Sequence, residues 1–141
     1  MTQVSSRITI HVPTDAIWQV IGDFGAACQY LVRVIDCTVE GEGVGAQRTL
    51  TSADGSTVVE RLESLDAAAH RLAYALLTAT PFRNCVTTMS VRELGPSQAE
   101  MEWSAIFEAD GLPADEARAM LEGALTDDCL ALKQFIETGR K

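Results

Sequence analysis

Two carboxyl groups lie where the surrounding sequence is apolar. Asp128 precedes Leu132 by one helical turn and therefore falls on the apolar stripe of a predicted helix. Glu60 alternates with Val58 and Leu62 along one face of a predicted strand. A carboxyl group without a cationic partner in apolar surroundings has a raised pKa and can exchange protons near neutral pH. Glu60 and Asp128 are therefore the candidate catalytic residues, as acid and base for enolisation, dehydration or aldol-type cyclisation.

The same two residues also have a structural interpretation. In that case Glu60 pairs with Arg48 or another basic side chain, and Asp128 bonds to water or to a backbone group. Ion pairs of this kind also shift pKa values, so a shifted pKa by itself does not separate the two interpretations. Arg48 is in addition a candidate contact for an anionic group, whereas Arg61 alternates with Glu60 and is expected on the outer face of the sheet.

The sequence contains no motif for metal, nucleotide or nucleophilic chemistry. His11 and His70 stand alone, without a second ligand at metal spacing, and neither is placed where a Ser-His-Asp triad could form. The glycines of residues 41–45 resemble a phosphate-binding loop, but strand-like sequence follows them where such a loop would open a helix. The four cysteines are scattered singly, which predicts reduced thiols rather than zinc ligands or disulfides. We expect no metal and no cofactor.

Length and composition limit the kind of protein. A chain of 141 residues with 47% hydrophobic and 22% charged residues is long enough for one domain, residues 1–141, and short for two. Its net charge of -9 repels phosphate backbones and anionic lipids, so we expect no nucleic-acid partner and no membrane insertion. The sequence lacks both a long apolar run and the layout of a signal peptide, which predicts a cytoplasmic protein. It leaves open whether the protein is a monomer or a homodimer.

The chain begins with strand, helix, helix and strand patterns, and from there to about residue 108 every periodic segment is strand-like. Residues up to 12 have the period-two pattern of a strand, which Pro13 ends. Residues 14–21 have helical spacing, with Thr14 and Asp15 as candidate N-cap residues, and residues 24–32 allow a second short helix. The following stretches have strand periodicity and are separated by turn residues: 34–39, 46–52, 57–65, 71–78, 85–93 and 99–108.

A single long helix is predicted for residues 114–138. Its apolar stripe comprises Met120, Leu121, Ala124, Leu125, Asp128, Leu132, Phe135 and Ile136. One amphipathic helix that follows six or seven antiparallel strands can bury its apolar face on the concave side of their sheet. The expected fold is therefore α+β, a helix-grip fold with a ligand cavity between the long helix and the sheet.

Several motifs recur in the same order in one known family, and they cover nearly the whole chain. They are residues 17–24 (Ile-Trp-Gln-Val-Ile-Gly-Asp-Phe), 43–48 (Gly-Val-Gly-Ala-Gln-Arg), 60–62 (Glu-Arg-Leu), 65–66 (Leu-Asp), Tyr74 and 103–107 (Trp-Ser-Ala-Ile-Phe). The chain resembles the polyketide cyclase/dehydrase-like family of the START-domain, birch-pollen-allergen-like (SRPBCC) superfamily. The resemblance implies the helix-grip fold. It does not select one function, because the superfamily includes lipid carriers, plant hormone receptors and aromatic cyclases.

Similarity to the plant abscisic-acid receptors of this superfamily implies which residues line the cavity: Leu31, Val58, Glu60, Tyr74, Cys85, Thr87, Trp103, Met120, Ala124 and Asp128. Tyr30, Arg48 and Leu62 complete the expected ligand-binding set. The aromatic side chains of this set could form a wall on which a planar ligand stacks, although aromatic residues at strand spacing are more often plain core. Leu31 replaces the lysine with which those receptors hold the hormone's carboxylate, so an acidic ligand anchored in that manner is not expected.

The resemblance also implies two loops that control access to the cavity. Asp54 and Gly55 belong to one of them, and Pro81 and Phe82 to the other, where Phe82 would cap the ligand. The favoured function is the binding of a hydrophobic, amphipathic or aromatic small molecule. One alternative is a polyketide cyclase/dehydratase-type enzyme that uses Glu60 and Asp128 as acid and base groups. Another is a protein whose cavity is filled by side chains and that acts through protein contacts.

Overall fold

The computed structural model describes residues 1–78 and 80–141. The strands of the described part are β1 (Thr2–Ile10), β2 (Val34–Glu40), β3 (Gln47–Ser52), β4 (Thr57–Asp66), β5 (Arg71–Leu76), β6 (Phe82–Gly95) and β7 (Gln98–Ala109). The helical segments there are α1 (Thr14–Ile21), a 3₁₀ segment (Phe24–Gln29) and α2 (Ala114–Thr138). The strands form one antiparallel sheet in the order β1-β7-β6-β5-β4-β3-β2.

This topology confirms the predicted α+β helix-grip fold. Strands β2 to β7 follow one another as a meander. The first strand, β1, pairs with the last, β7, from Thr2 opposite Phe107 to Ile10 opposite Ala99. The edges of the sheet are therefore β1 and β2. Within residues 1–78 and 80–141, the helices lack an apolar stretch of the length that a membrane crossing requires.

The start of the chain differs in detail from the sequence prediction. Strand β1 ends at Ile10, and the second short helix is a 3₁₀ segment that ends at Gln29. The residue that precedes α1 is Pro13, with φ of -62° and ψ of 155°, and no side chain caps the helix. The N-cap prediction for Thr14 and Asp15 is wrong because the extended Pro13 lets the helix begin at Thr14 itself.

Helix α2 lies against the β1 side of the sheet rather than across its middle, because it packs mainly on β1 and β7. The buried residues of its contact face are Ala117, Leu125, Cys129 and Leu132. Two of its side chains also reach backbone carbonyl oxygens of β1: Cys129 Sγ contacts that of Ser6 at 3.8 Å, and Lys133 Nζ donates to that of Thr9 at 2.6 Å. The helix thereby covers an edge strand that could otherwise pair with another chain.

The rotation of α2 about its axis differs from the predicted apolar stripe. Met120, predicted on the buried face, is 51% exposed, while Cys129 is buried. Ala124 and Asp128 are half-buried at the border of the contact face. The prediction is wrong for Met120 because β1 and β7, rather than the centre of the sheet, decide which side of the helix is covered.

Candidate functional site

An ion pair between Arg48 and Glu60 lies on the inner face of the sheet. The two residues are opposite each other in the register of β3 and β4, so their side chains leave the sheet on the same side. Arg48 Nε donates to Glu60 Oε1 at 2.8 Å. The side chain of Arg48 is 3% exposed and that of Glu60 is 13% exposed. Burial raises the pKa of the Glu60 carboxyl, and attraction to Arg48 offsets part of the rise. This pairing agrees with the structural interpretation of Glu60.

Arg48 is held on its remaining sides as well. Its Nη1 donates to the carbonyl oxygen of Phe24 at 3.1 Å. The guanidinium carbon lies 4.1 Å from the ring centroid of Phe24 and 4.7 Å from that of Tyr74, so rings from the 3₁₀ segment and from β5 cover it. Burial by itself lowers the pKa of Arg48, but the attraction of Glu60, Tyr74 and Tyr30 together with the hydrogen bond to Glu60 outweighs burial and keeps that pKa above its ordinary value. Arg48 therefore stays charged although it is buried.

A second polar contact, between Tyr74 and Trp103, lies beside the ion pair. Trp103 Nε1 donates to Tyr74 Oη at 3.1 Å, and both side chains are buried. The ring of Tyr30 meets that of Trp103 edge-on, with 6.4 Å between the centroids. Burial raises the pKa of Tyr30 to about 12, so this phenol stays protonated. Three aromatic rings with polar groups thus lie close to Arg48 and Glu60.

Asp128 approaches the same region from α2, without a hydrogen-bonded partner among the described residues. Burial raises its pKa to about 7; attraction to Arg33 opposes the rise, and repulsion from Glu60 and Asp127 adds to it. Arg33 itself binds Asp127 at the surface, with 2.8 Å between Nη2 and Oδ2. Asp128 is therefore a candidate catalytic residue whose pKa lies near neutral pH.

The predicted ligand-binding residues divide into three groups by exposure. The buried ones are Tyr30, Leu31, Arg48, Leu62, Tyr74, Cys85, Thr87 and Trp103. The half-buried ones are Val58, Glu60, Ala124 and Asp128. Met120 lies apart from both groups because it faces solvent on α2. In the predicted loops, Asp54 and Gly55 are exposed, whereas Pro81 and Phe82 are half-buried.

Two residues that belong to the site were not predicted from the sequence. Phe24 supplies both a ring and a carbonyl oxygen to Arg48. Arg33 is a cation close enough to Asp128 to lower its pKa. Neither residue stands at a spacing from its partner that marks a contact, because Phe24 and Arg33 come from the segment between α1 and β2, whose path depends on the whole fold. Phe24 does end one of the motifs that carry the family resemblance.

The interior cluster is distinct from a large surface cleft. That cleft, of about 560 Å³, lies between the start of β1 and the first half of α2, and polar side chains such as Arg118 and Glu122 line it. Among residues 1–78 and 80–141, no three His, Cys, Asp or Glu side chains come together as metal ligands. All four cysteines are unbridged, and Cys85 lies in the interior, with its Sγ 3.9 Å from Thr87 Oγ1.

Comparisons with known proteins agree with this architecture. Residues 1–137 match the model of a family described as polyketide cyclase/dehydrase and lipid transport. The solved structure of the protein XoxI from Bacillus cereus is 26% identical, with a TM-score of 0.90, over 98% of this chain and 97% of that one. The Zhui aromatase/cyclase from Streptomyces sp. R1128 is 22% identical, with a TM-score of 0.78, over 96% of this chain and 93% of that one.

A further structural match is the di-domain ARO/CYC BexL from the BE-7585A biosynthetic pathway. It is 16% identical, with a TM-score of 0.81, over 97% of this chain and 47% of that one. At this identity the similarity concerns the fold alone. A comparison with curated proteins finds no match.

Arg48→Met should destabilise the fold strongly, because it leaves the Glu60 carboxyl buried without its cation. We expect the free energy of unfolding to fall by about 3–5 kcal/mol in urea denaturation at neutral pH. The matched control is Arg61→Met, which breaks the more exposed pair with Glu63 and should cost under about 1 kcal/mol. Replacing both Arg48 and Glu60 by Met should recover much of the loss. Equal losses for Arg48→Met and Arg61→Met would contradict a structural role for the buried pair.

Asp128→Asn should stabilise the fold at alkaline pH only. The pKa of Asp128 is about 7 in the folded chain, above the ordinary value of 3.8, so folding favours the neutral acid. This contribution is complete below about pH 4 and is lost as the pH rises through 7. Asp128→Asn should therefore have little effect near pH 4 and raise the free energy of unfolding by roughly 2–4 kcal/mol near pH 8.

Urea denaturation at both pH values measures this difference, with Glu122→Gln as the control, since Glu122 is an exposed carboxylate of the same helix. The control should change the stability little at either pH. An effect of Asp128→Asn that is the same near pH 4 and near pH 8 would show that its carboxyl titrates normally.

Proposed function

We propose that this chain, which belongs to the polyketide cyclase/dehydrase and lipid transport family, binds a hydrophobic or amphipathic small molecule between α2 and the inner face of the sheet. The observation that carries the proposal is the placement of charged groups in an otherwise apolar interior: the Arg48–Glu60 pair and, facing it from the helix, Asp128. Buried ion pairs are often no more stabilising than apolar residues of similar volume. We therefore assign these groups a part in recognising a ligand in addition to their structural role.

The packing of α2 indicates where the ligand would lie. Because the helix packs mainly on β1 and β7, inner-face residues of those strands such as Ile10 and Phe107 are fully buried. Inner-face residues of β4, β5 and β6 such as Leu62, Tyr74 and Cys85 are buried as well. At one end of these strands, however, Val58, Leu76 and Phe82 are only half-buried. The apolar part of a ligand would cover these three side chains, and its polar end would lie near Glu60 and Asp128.

The two predicted loops remain our proposed entrance to this space. Phe82 packs edge-on against Phe107, with 5.2 Å between the ring centroids, and it lines a surface pocket together with Leu76. In the β3–β4 turn, Asp54 Oδ1 accepts hydrogen bonds from the backbone and hydroxyl of Ser56. We also propose that residues 1–141 form one domain in the cytoplasm, where thiols such as these four stay reduced.

Ala124→Phe should weaken ligand binding, because the half-buried Ala124 borders the proposed space and a ring there would occupy it. The neutral probe N-phenyl-1-naphthylamine should fluoresce with the wild-type protein, and Ala124→Phe should weaken its binding by about tenfold or more. Ala119→Phe is the matched control, because Ala119 is exposed on the same helix. This variant should bind the probe as the wild type does. Equal binding by both variants would place the probe elsewhere.

Native mass spectrometry of freshly expressed protein complements this test, because it detects a ligand that stays bound during purification. A bound small molecule that is present in the wild type and absent from Ala124→Phe would support the proposed site. An empty wild-type protein that also fails to bind the probe would contradict the binding function.

An acid–base enzyme is the second candidate function, and the pKa of about 7 for Asp128 is the observation that favours it. Asp128 as a carboxylate could take a proton from the carbon next to a ketone, and the enolate could attack a second carbonyl carbon of the same chain. Asp128 would return its proton to the resulting alkoxide. Removal of a second proton from the carbon between the two carbonyl-derived positions would then form a C=C bond, and the departing hydroxide would take up that proton and leave as one water. The positive charge of Arg48, which Glu60 holds in position, would lie beside the developing oxyanion and stabilise it.

Incubation with a linear poly-β-ketone tests this candidate, with loss of one water followed by mass spectrometry. We expect Asp128→Asn and Glu60→Gln to slow the reaction by about 100-fold or more while the naphthylamine probe still binds. Reaction at the same rate in wild type, in both variants and in buffer would assign the cyclisation to solution chemistry and leave the protein with binding alone.

A further inference from the structure

The charged groups that meet in the interior do not cancel. Arg48, Glu60 and Asp128 all act on the Tyr30 hydroxyl, and Asp128 and Glu60 repel each other, so the three groups share one region. Arg48 supplies one positive charge, and each carboxylate supplies one negative charge when it is ionised. One negative charge is therefore left unmatched, and it belongs to Asp128, because Glu60 already binds Arg48.

Arg48 is poorly placed to hold an acidic ligand. Its Nε and Nη2 lie 2.8 Å from Glu60 Oε1, and Nη1 donates to the carbonyl oxygen of Phe24. The rings of Phe24 and Tyr74 lie 4.1 Å and 4.7 Å from the guanidinium carbon. A ligand carboxylate would have to displace Glu60 from this arrangement and would meet Asp128 as a like charge.

Arg33, the cation that lowers the pKa of Asp128, is already engaged, and so are two lysines that follow Asp128 along the chain. Arg33 binds Asp127 at 2.8 Å on the surface, where the Arg33 side chain is 69% exposed. Lys133, on the same helix, donates to the carbonyl oxygen of Thr9 and to Glu137. Lys141 donates to the carbonyl oxygens of Cys28 and Val34. Among the described residues, therefore, none donates a hydrogen bond to Asp128.

Aromatic rings lie on the same side of the interior as Asp128. Tyr30, whose hydroxyl responds to the Asp128 charge, packs against Trp103 at 6.4 Å and against Phe135 at 6.5 Å. Phe135 follows Asp128 by two helical turns and so shares its face of α2. A carboxylate next to aromatic rings is the combination that binds ammonium groups, through a charge-assisted hydrogen bond or ion pair and through cation–π attraction.

We infer that the ligand of this interior is an amphiphile with a cationic nitrogen at its polar end, and that Asp128 is the counter-ion of that nitrogen. The inference rests on the proposed binding function and adds the chemical class of the ligand to it. A cationic nitrogen supplies the charge that the interior lacks, while the apolar chain covers the half-buried side chains of β4 to β6. A fatty acid of the same length would add a second unmatched negative charge.

The test compares decylamine, decyltrimethylammonium, decan-1-ol and decanoate on the wild-type protein by isothermal titration calorimetry near pH 8, each below its micelle-forming concentration. All four carry the same tail, so differences report on the head group. We expect at least one of the two cations to bind about tenfold more tightly than the alcohol, and decanoate to bind most weakly. Preference for the primary amine would indicate a hydrogen bond to Asp128, and preference for the quaternary one would indicate the aromatic rings.

Two variants separate the interior carboxylate from the negative charge of the protein as a whole. Asp128→Asn should weaken binding of the preferred cation by about tenfold and leave decan-1-ol within about threefold of wild type. Glu122→Gln removes the same charge from the exposed side of α2 and should change neither affinity. Equal weakening by both variants would mean that the cation binds through the overall charge, and it would overturn the inference.

Failure of the inference differs from failure of the binding function. If the four compounds bind with similar affinity, or if decanoate binds most tightly, the interior takes amphiphiles but Asp128 does not select them. If none of the four compounds binds, the binding function itself is wrong. The comparison on wild-type protein needs no variant, so it stands even where Asp128→Asn alters the fold.

Discussion

The buried ion pair of Arg48 and Glu60 constrains the structure more than any other interaction described. A guanidinium in an apolar interior is tolerable only where its charge and its N–H groups are satisfied together. Here that requires the β3–β4 register that places the two residues opposite each other, the carbonyl oxygen of Phe24 and the ring of Tyr74. The pair therefore holds β3, β4, β5 and the 3₁₀ segment in one arrangement. These elements form the end of the sheet that is farther from α2.

Helix α2 meets a different constraint, because β1 is an edge strand whose carbonyl groups need cover. By packing on β1 and β7 and bonding to Ser6 and Thr9, the helix protects that edge, while Val58, Leu76 and Phe82 at one end of β4, β5 and β6 stay only half-buried. The same offset brings Asp128 to the border of the interior, where no described residue donates a hydrogen bond to it. The proposed ligand space and the unpaired carboxyl group thus have one physical origin, the position of the helix.

The acidity of the chain also separates into two parts. Most acidic residues outside the sheet, such as Asp110, Asp115, Glu116 and Glu122, are exposed and keep an apolar-rich chain hydrated. Glu60 and Asp128 lie on the apolar side instead, and burial raises the pKa of both. The family to which the chain belongs is described by cyclisation, dehydration and lipid transport, and a charged residue inside an apolar interior is useful to each of these activities.

Local periodicity by itself determined the elements of this protein, because period two and period 3.6 are properties of neighbouring residues. The helix predicted for residues 114–138 is α2 as observed, and the meander and the helix-grip fold follow from the same patterns. Only the tertiary structure decided that Met120 faces solvent, that Phe24 covers Arg48, and that Glu60 is paired while Asp128 is not. These outcomes depend on the rotation of a helix about its axis and on contacts between distant segments, which no local pattern encodes.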